Sequence, residues 1–252
     1  SFYKSHYHPS NSVFMTFGDI PAAEHHEKFH ELALSRFDKL DIKIEVKDEK
    51  RYLAPLKVEE AYAAEVSDKP QSHVVIAWLL GRSTDLSELF KAELVSSVLL
   101  DNSASPLLHV LETTELGSSP SPMCGLEDSN REMSLMAGLE GCSSESSEDI
   151  ERLILQTLED VVKNGIPYEQ VEAALHQLEL NQREISGDGY PYGLHLILAG
   201  LSTAMHRGDP IKLLDIDPVL AELRSQIKDK RFIPKLIQQL LLDNPHRVTL
   251  TL

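Results

Sequence analysis

The sequence predicts an α+β protein: an antiparallel sheet with helices packed on one face. Three observations predict it. Residues 71–80 and 133–139 are short apolar runs of strand length, the first rich in Val, Ile and Trp. Residues 86–100 and 149–163 carry apolar positions three and four apart, the period of an amphipathic helix. The helical segments are grouped between strands instead of alternating one for one, and the last alternating run, residues 246–252, follows a long helical tail between Gly165 and Asp243.

The elements follow in order. Residues 12–17 read as a strand through Val13, Phe14, Met15 and Phe17. Asp19 and Pro21 read as a cap and a helix opener for a helix reaching Leu40, with Ala22, Phe29, Leu32, Ala33, Phe37 and Leu40 as its stripe. Residues 41–55 are charged and mixed, as in a linker. Residues 56–66 and 71–80 read as two strands turned at Asp68-Lys69-Pro70, an expected antiparallel pair.

The helix over 86–100 is broken at 102–106, and a short helix follows over 107–115. Residues 123–127 are expected to pair with the strand at 133–139. The helix over 149–163 ends at Asn164-Gly165, and Pro167 opens the next one, with Val171, Leu175 and Leu178 inward. Residues 186–189 are a glycine-rich break, and Gly187-Asp188-Gly189 reads as a turn and not as a phosphate loop. Residues 192–206 are almost wholly apolar, which predicts a buried helix; helices over 220–227 and 232–242 complete the tail.

Composition narrows the function classes. At 252 residues, 42% hydrophobic and 25% charged, the chain fits a soluble globular protein of one or two domains. No apolar run approaches the ~18–20 residues of a membrane helix, so no membrane partner is expected. Ser1 opens on a mixed polar and aromatic stretch without the pattern of a secretory leader. The two cysteines, Cys124 and Cys142, lack CxxC spacing and are expected as reduced thiols in a cytoplasm-like compartment. A net charge of −16 argues against nucleic acid and is compatible with attracting cationic peptides or with simple solubility.

One short pattern invites a metal. His26-Glu27-Lys28-Phe29-His30 is a formal H-E-x-x-H on an expected helix, the arrangement in which two histidines hold zinc and the glutamate acts as general base. Helical projection puts Phe29 at the centre of the apolar face, His26 and His30 at one edge and Glu27 pointing away, and no third ligand stands in a matching signature. The reading adopted is a surface pair, with a small zinc hydrolase using His26, Glu27 and His30 kept as the alternative. His6 and His8 form an H-x-H that either binds metal or positions the entry to the following segment. There is no G-x-S-x-G, P-loop or G-x-G-x-x-G, and Gly200-Leu201-Ser202-Thr203-Ala204 ends in alanine.

Tyr7-His8-Pro9-Ser10-Asn11 running into 13–17 and Gly18-Asp19 resembles a passage of the pitrilysin or insulinase-type zinc metallopeptidases, the inverzincins, in their presequence protease branch. The resemblance continues in order through 71–80, 94–109, Leu116-Gly117 with Ser121-Pro122, 131–141, 149–151, 172–179 and Gly208-Asp209-Pro210. It covers essentially the whole chain. It implies an inverzincin or processing-peptidase-like fold, in which four related α+β domains in two halves enclose a chamber. Residues 1–44 would be the last strand and helix of a preceding zinc-bearing domain, and residues 45–252 a non-catalytic second domain. The parent would be a zinc metalloendopeptidase that degrades unstructured peptides in that chamber. The family's zinc motif, H-x-x-E-H, does not occur in these residues, so no catalytic or metal residue is carried over. Zinc is expected in the parent and not in this segment, which would be an inactive chamber wall. Its expected partners are peptide substrates and the remaining domains of the same polypeptide, with possible self-association through residues 12–17. The compartment would be cytoplasm, or an organelle matrix in a eukaryote. The rival class is a freestanding binding or scaffold domain of the same fold.

Overall fold

A computed structural model of the chain describes residues 2–41, 44–63, 70–184 and 191–252. The chain divides into two compact units: Ser1–Asp48 with Glu184–Asp215, and Glu49–Arg183 with Ile216–Leu252. Residues 184–215, placed by the sequence in the second domain, thus cluster with the N-terminal segment. The turn at 68–69, the end of the strand expected to reach residue 66, and the break at 186–189 lie outside the described residues.

The second unit is a mixed sheet under helices. Its strands are β1 (Leu56–Glu59), β2 (Ser72–Arg82), β3 (Ser119–Pro120), β4 (Gly125–Glu127), β5 (Glu132–Cys142) and β6 (Arg247–Thr251). They run in the order β1-β6-β2-β5-β3, with β4 also on β5. The antiparallel pairing expected between the first two strands does not form. About a dozen residues separate them, more than a hairpin loop holds. Instead β1 runs parallel to β6, with Leu56 opposite Val248 and Val58 opposite Leu250, while β6 and β5 flank β2 antiparallel.

Period-two alternation sorts the sheet. Val74, Ile76, Trp78 and Leu80 of β2 and Met133, Leu135, Ala137 and Leu139 of β5 join the core. There they meet α3 (Leu86–Leu100), α4 (Pro106–Thr113), α5 (Ser147–Asn164), α6 (Tyr168–Arg183), α8 (Asp217–Gln226) and α9 (Phe232–Ile237) through residues such as Phe90, Leu94, Ile150, Ile154 and Leu220. Asp85 caps α3, its carboxylate accepting the Ser87 and Glu88 amides at 3.0 Å. Gly165 ends α5 at φ 77°, a conformation that favours glycine. A π-helical turn, Gln238–Leu242, continues α9 toward β6.

In the first unit, α1 spans Phe2–His6, α2 spans Ala22–Leu32 and α7 spans Tyr192–Met205. Three expectations change here. Helix α2 stops at Leu32, because Ala33 leaves helical geometry at φ −135°, and a 3-10 turn follows over Leu34–Arg36. Its N-cap is Pro21 rather than Asp19, without a side-chain cap bond. Residues 12–17 form no strand. They run past α7 instead: a Cβ placed on Gly193 would lie 2.1 Å from the Phe17 ring, and one on Gly200 would lie 3.8 Å from Met15 Cε. Apolar composition gave this segment strand propensity, but a strand needs a partner edge and α7 supplies a glycine-lined face.

Nor is α7 buried along its length. Gly193, Gly200, Thr203 and Ala204 are buried, while Leu194, Leu198 and Met205 are 38, 49 and 56% exposed.

Arg207 holds this unit together after α7. Its guanidinium donates to Asn11 Oδ1 at 2.5 Å and twice to the Ile44 carbonyl, at 3.0 and 3.2 Å. Asn11 in turn donates to the His6 carbonyl, and Ser10 Oγ accepts the Leu40 amide. The His-Pro-Ser-Asn turn is therefore a hub. Charged hydrogen bonds of this kind contribute about 1.5–3 kcal/mol. Arg207→Ala is expected to raise proteolytic cleavage within residues 2–48 at least about tenfold, since about 1.4 kcal/mol is a decade in the opening equilibrium. Native-state proteolysis followed by mass spectrometry reads the sites; an unchanged cleavage rate refutes the hub.

Candidate functional site

Among the described residues, the H-E-x-x-H side chains join no metal-sized cluster of His, Cys, Asp or Glu. His26, Glu27 and His30 are all exposed on α2. It is His25 that turns inward, stacking on Phe29 at 6.3 Å, while Phe29 meets Phe14 at 4.9 Å. Two nitrogen donors one turn apart are half of a zinc set. Among the described residues, no group of three or more His, Cys, Asp or Glu side chains stands close enough to hold a metal ion. His8 uses Nδ1 to accept the Ser10 amide at 3.1 Å and sets its ring edge-on to Phe37; His6 stacks on Phe2 at 3.8 Å. Both are engaged in the local turn, as the positioning role expects.

The candidate surface of the second unit is the face of the sheet turned away from the helices. Val75, Ala77 and Leu79 alternate with the core residues of β2. Register places Leu250 and Gly138 beside Val75, and Val248 and Met136 beside Ala77. Leu56 and Val58 extend the row on β1. The result is a four-strand apolar surface whose side chains are mostly half-buried, the state of a surface that lacks a covering layer of its own. Close approach of the strands requires Gly138: a Cβ there would stand 2.2 Å from the Val74 carbonyl oxygen. Cys124 Sγ bridges the Gly138 N–H and C=O, at 3.3 and 3.4 Å. Burial pushes both thiols, Cys124 and Cys142, above their ordinary range, which makes them poor nucleophiles.

A polar clasp closes one end of this sheet. Glu132, 8% exposed, receives Arg51 at 2.6 Å and the Glu49 amide at 2.5 Å. Arg51 also reaches the Leu80 carbonyl at 2.7 Å. Tyr52 stacks on His246 at 4.1 Å and donates its amide to His246 Nδ1 at 3.2 Å. Burial first, and then Arg51, lower the His246 pKa, so the ring stays neutral and accepting.

Between α3 and α6 lies a cavity of about 310 Å³ lined by Glu93, Ser96, Ser97, Asp101, Gln177 and Asn181, among others. Burial, and then the charge of Asp128, push the Glu93 carboxyl up to about 7. Asp128 is raised as well, chiefly by burial. Sequence inspection missed Glu93, Arg207 and the Glu132 clasp, because each depends on partners tens of residues away.

Residues 1–178 match the family described as the peptidase M16 inactive domain. The chain belongs to that M16 inactive-domain family. As an M16 domain it is also similar over its whole length to presequence proteases: 33% identical to the mitochondrial presequence protease of Xenopus tropicalis and 30% identical to that of Mus musculus. All of this chain aligns in both cases but only 24% of each relative, so the chain spans about a quarter of their length. Solved structures share the fold. A Pseudomonas fluorescens M16 inactive domain superposes with TM-score 0.57 at 13% identity, over 93% of this chain and 51% of that one. A Helicobacter pylori protease gives 0.60 at 14%, over 93% and 53%. These establish the M16 α+β fold, sheet with helices, that the sequence predicted. Among the described residues no helix is long and apolar enough to cross a membrane.

Proposed function

We propose that this M16 domain is a non-catalytic wall of a larger zinc metalloendopeptidase that degrades unstructured peptides inside a closed chamber. Residues 1–44 then close a preceding zinc-bearing domain, and the rest of the chain carries the wall. The observation that carries this reading is the full-length similarity to presequence proteases about four times as long. The apolar sheet face of Leu56, Val58, Ala77, Met136, Val248 and Leu250 supports it, because an extended peptide finds there half-buried or exposed side chains rather than a helical layer. Zinc belongs to the preceding part of the parent, and no site residue of this chain takes part in bond cleavage. The relatives' names favour an organelle matrix over the cytoplasm.

The purified chain is expected to show no cleavage of unstructured fluorogenic peptides with zinc added. Chelator-sensitive turnover that His26→Ala abolishes would overturn this and install the α2 histidines as a metal centre. A parent reading frame that ends near Leu252 would favour the freestanding binding domain instead.

A further inference from the structure

Helix α7 has two faces of opposite character. Gly193 and Gly200, seven residues apart, form the side against which Phe17 and Met15 lie. The other side carries Leu194, Leu198, Leu201 and Met205 at spacings of four, three and four, the rhythm of a helix-packing seam. Leu194, Leu198 and Met205 are 38, 49 and 56% exposed, and Leu201 is half-buried. No Asp, Glu, Lys or Arg occurs between Tyr192 and Met205.

The unit that holds α7 has almost no core. Among its described residues Ala204 is the one buried apolar side chain outside glycine, while most of the molecule's exposed large apolar side chains sit in this unit, Ile211 at 70% among them. A surface this apolar and this poor in charge resembles half of an obligate interface, not a transient docking site with a charged rim.

We propose that the Leu194-Leu198-Leu201-Met205 seam docks against another domain of the same polypeptide, so that α7 completes its core across a domain boundary. The proposal rests on the chain being part of a larger peptidase. Two observations select this occupant. The relatives carry about three quarters of their length outside the matched region, 24% being matched, which supplies a covalently tethered partner at high effective concentration. A second copy would bring another formal charge of −16 to the same contact, which opposes self-pairing.

The test compares one substitution in two contexts. In the full-length parent, Leu198→Asp is expected to expose residues 192–205, with deuterium uptake and limited proteolysis there at least about tenfold faster. In the 252-residue chain the same substitution is expected to leave the melting temperature unchanged, because Leu198 already faces water. Leu180→Asp, 46% exposed on the second unit, is the control and is expected to be silent in both. Equal destabilisation of parent and isolated chain by Leu198→Asp would overturn the proposal by making α7 a core helix of this chain. Silence in the parent would overturn it too, as would an isolated chain that is a dimer dissociated by Leu198→Asp. None of these readouts uses peptide cleavage. A parent without peptidase activity therefore refutes the proposed function while leaving the seam to be judged separately.

Discussion

Gly138→Val is expected to unfold the sheet unit. The hydrogen of Gly138 faces the middle of β2, where a Cβ would stand 2.2 Å from the Val74 carbonyl oxygen and 2.7 Å from Val75 Cα. Both obstacles are backbone of the central strand, which β5 and β6 hold from either side. A side chain can swing away; this backbone moves only if the β2–β5 ladder opens. The neighbouring Cys124 bridge to Gly138 adds a second barrier to any shift of β5. Overpacking against fixed backbone belongs to the small class of substitutions that cost more than about 4 kcal/mol. For a domain of this size that corresponds to a melting point lower by about 8–16 °C. Gly138→Ala is expected to fall between wild type and Gly138→Val. Circular dichroism melts read the series, and a Gly138→Val protein melting within about 3 °C of wild type would refute the close approach.

Glu93→Gln is expected to stabilise the protein above neutral pH and to remove the loss of stability that Glu93 causes as pH rises. The Glu93 pKa rises from 4.5 to about 7 in the folded state, first by burial and then by Asp128. Below 4.5 the carboxyl is protonated in both states. As pH climbs toward 7 the unfolded chain releases its proton while the folded chain keeps it, so stability falls across that window and stays lower above it. The full shift corresponds to about 3 kcal/mol as an upper figure, less where cavity water relaxes the burial. Glutamine keeps the shape without the titration, so the loss between pH 4.5 and 7 should disappear.

His246 runs the other way. Its folded pKa is lowered, so its contribution is present above the ordinary histidine value of 6.5 and declines as pH falls below it. Urea midpoints from pH 4 to 9 separate the two. Wild type and Glu93→Gln curves that stay parallel throughout would refute the assignment to Glu93.

Much of the fold was legible because it is local. The helix over Leu86–Leu100 follows from a three-and-four stripe with Asp85 ahead of it, and the period-two runs mark β2 and β5. Pairing was less legible. Nothing near residue 56 announces that its partner is at residue 248, since register is set by nonlocal packing. Residues 12–17 and 192–205 show the same limit from another side. Apolar content says that a segment seeks cover, and the identity of the cover lies in the rest of the fold. The formal H-E-x-x-H was visible, but a third donor would have to come from elsewhere in the fold; the His-Pro-Ser-Asn turn was visible and its clasp on Arg207 was not.

The place of β6 between β1 and β2 sets an order of assembly. It is the last strand of the sequence, yet it fills an interior slot. While the polypeptide emerges from a ribosome, β2 presents a bare edge and β1 has no neighbour until residues 247–251 appear. The nascent sheet must therefore wait for its keystone, open meanwhile to strand capture by other chains. A version truncated before Arg247 should stay bound to chaperones and accumulate as aggregate.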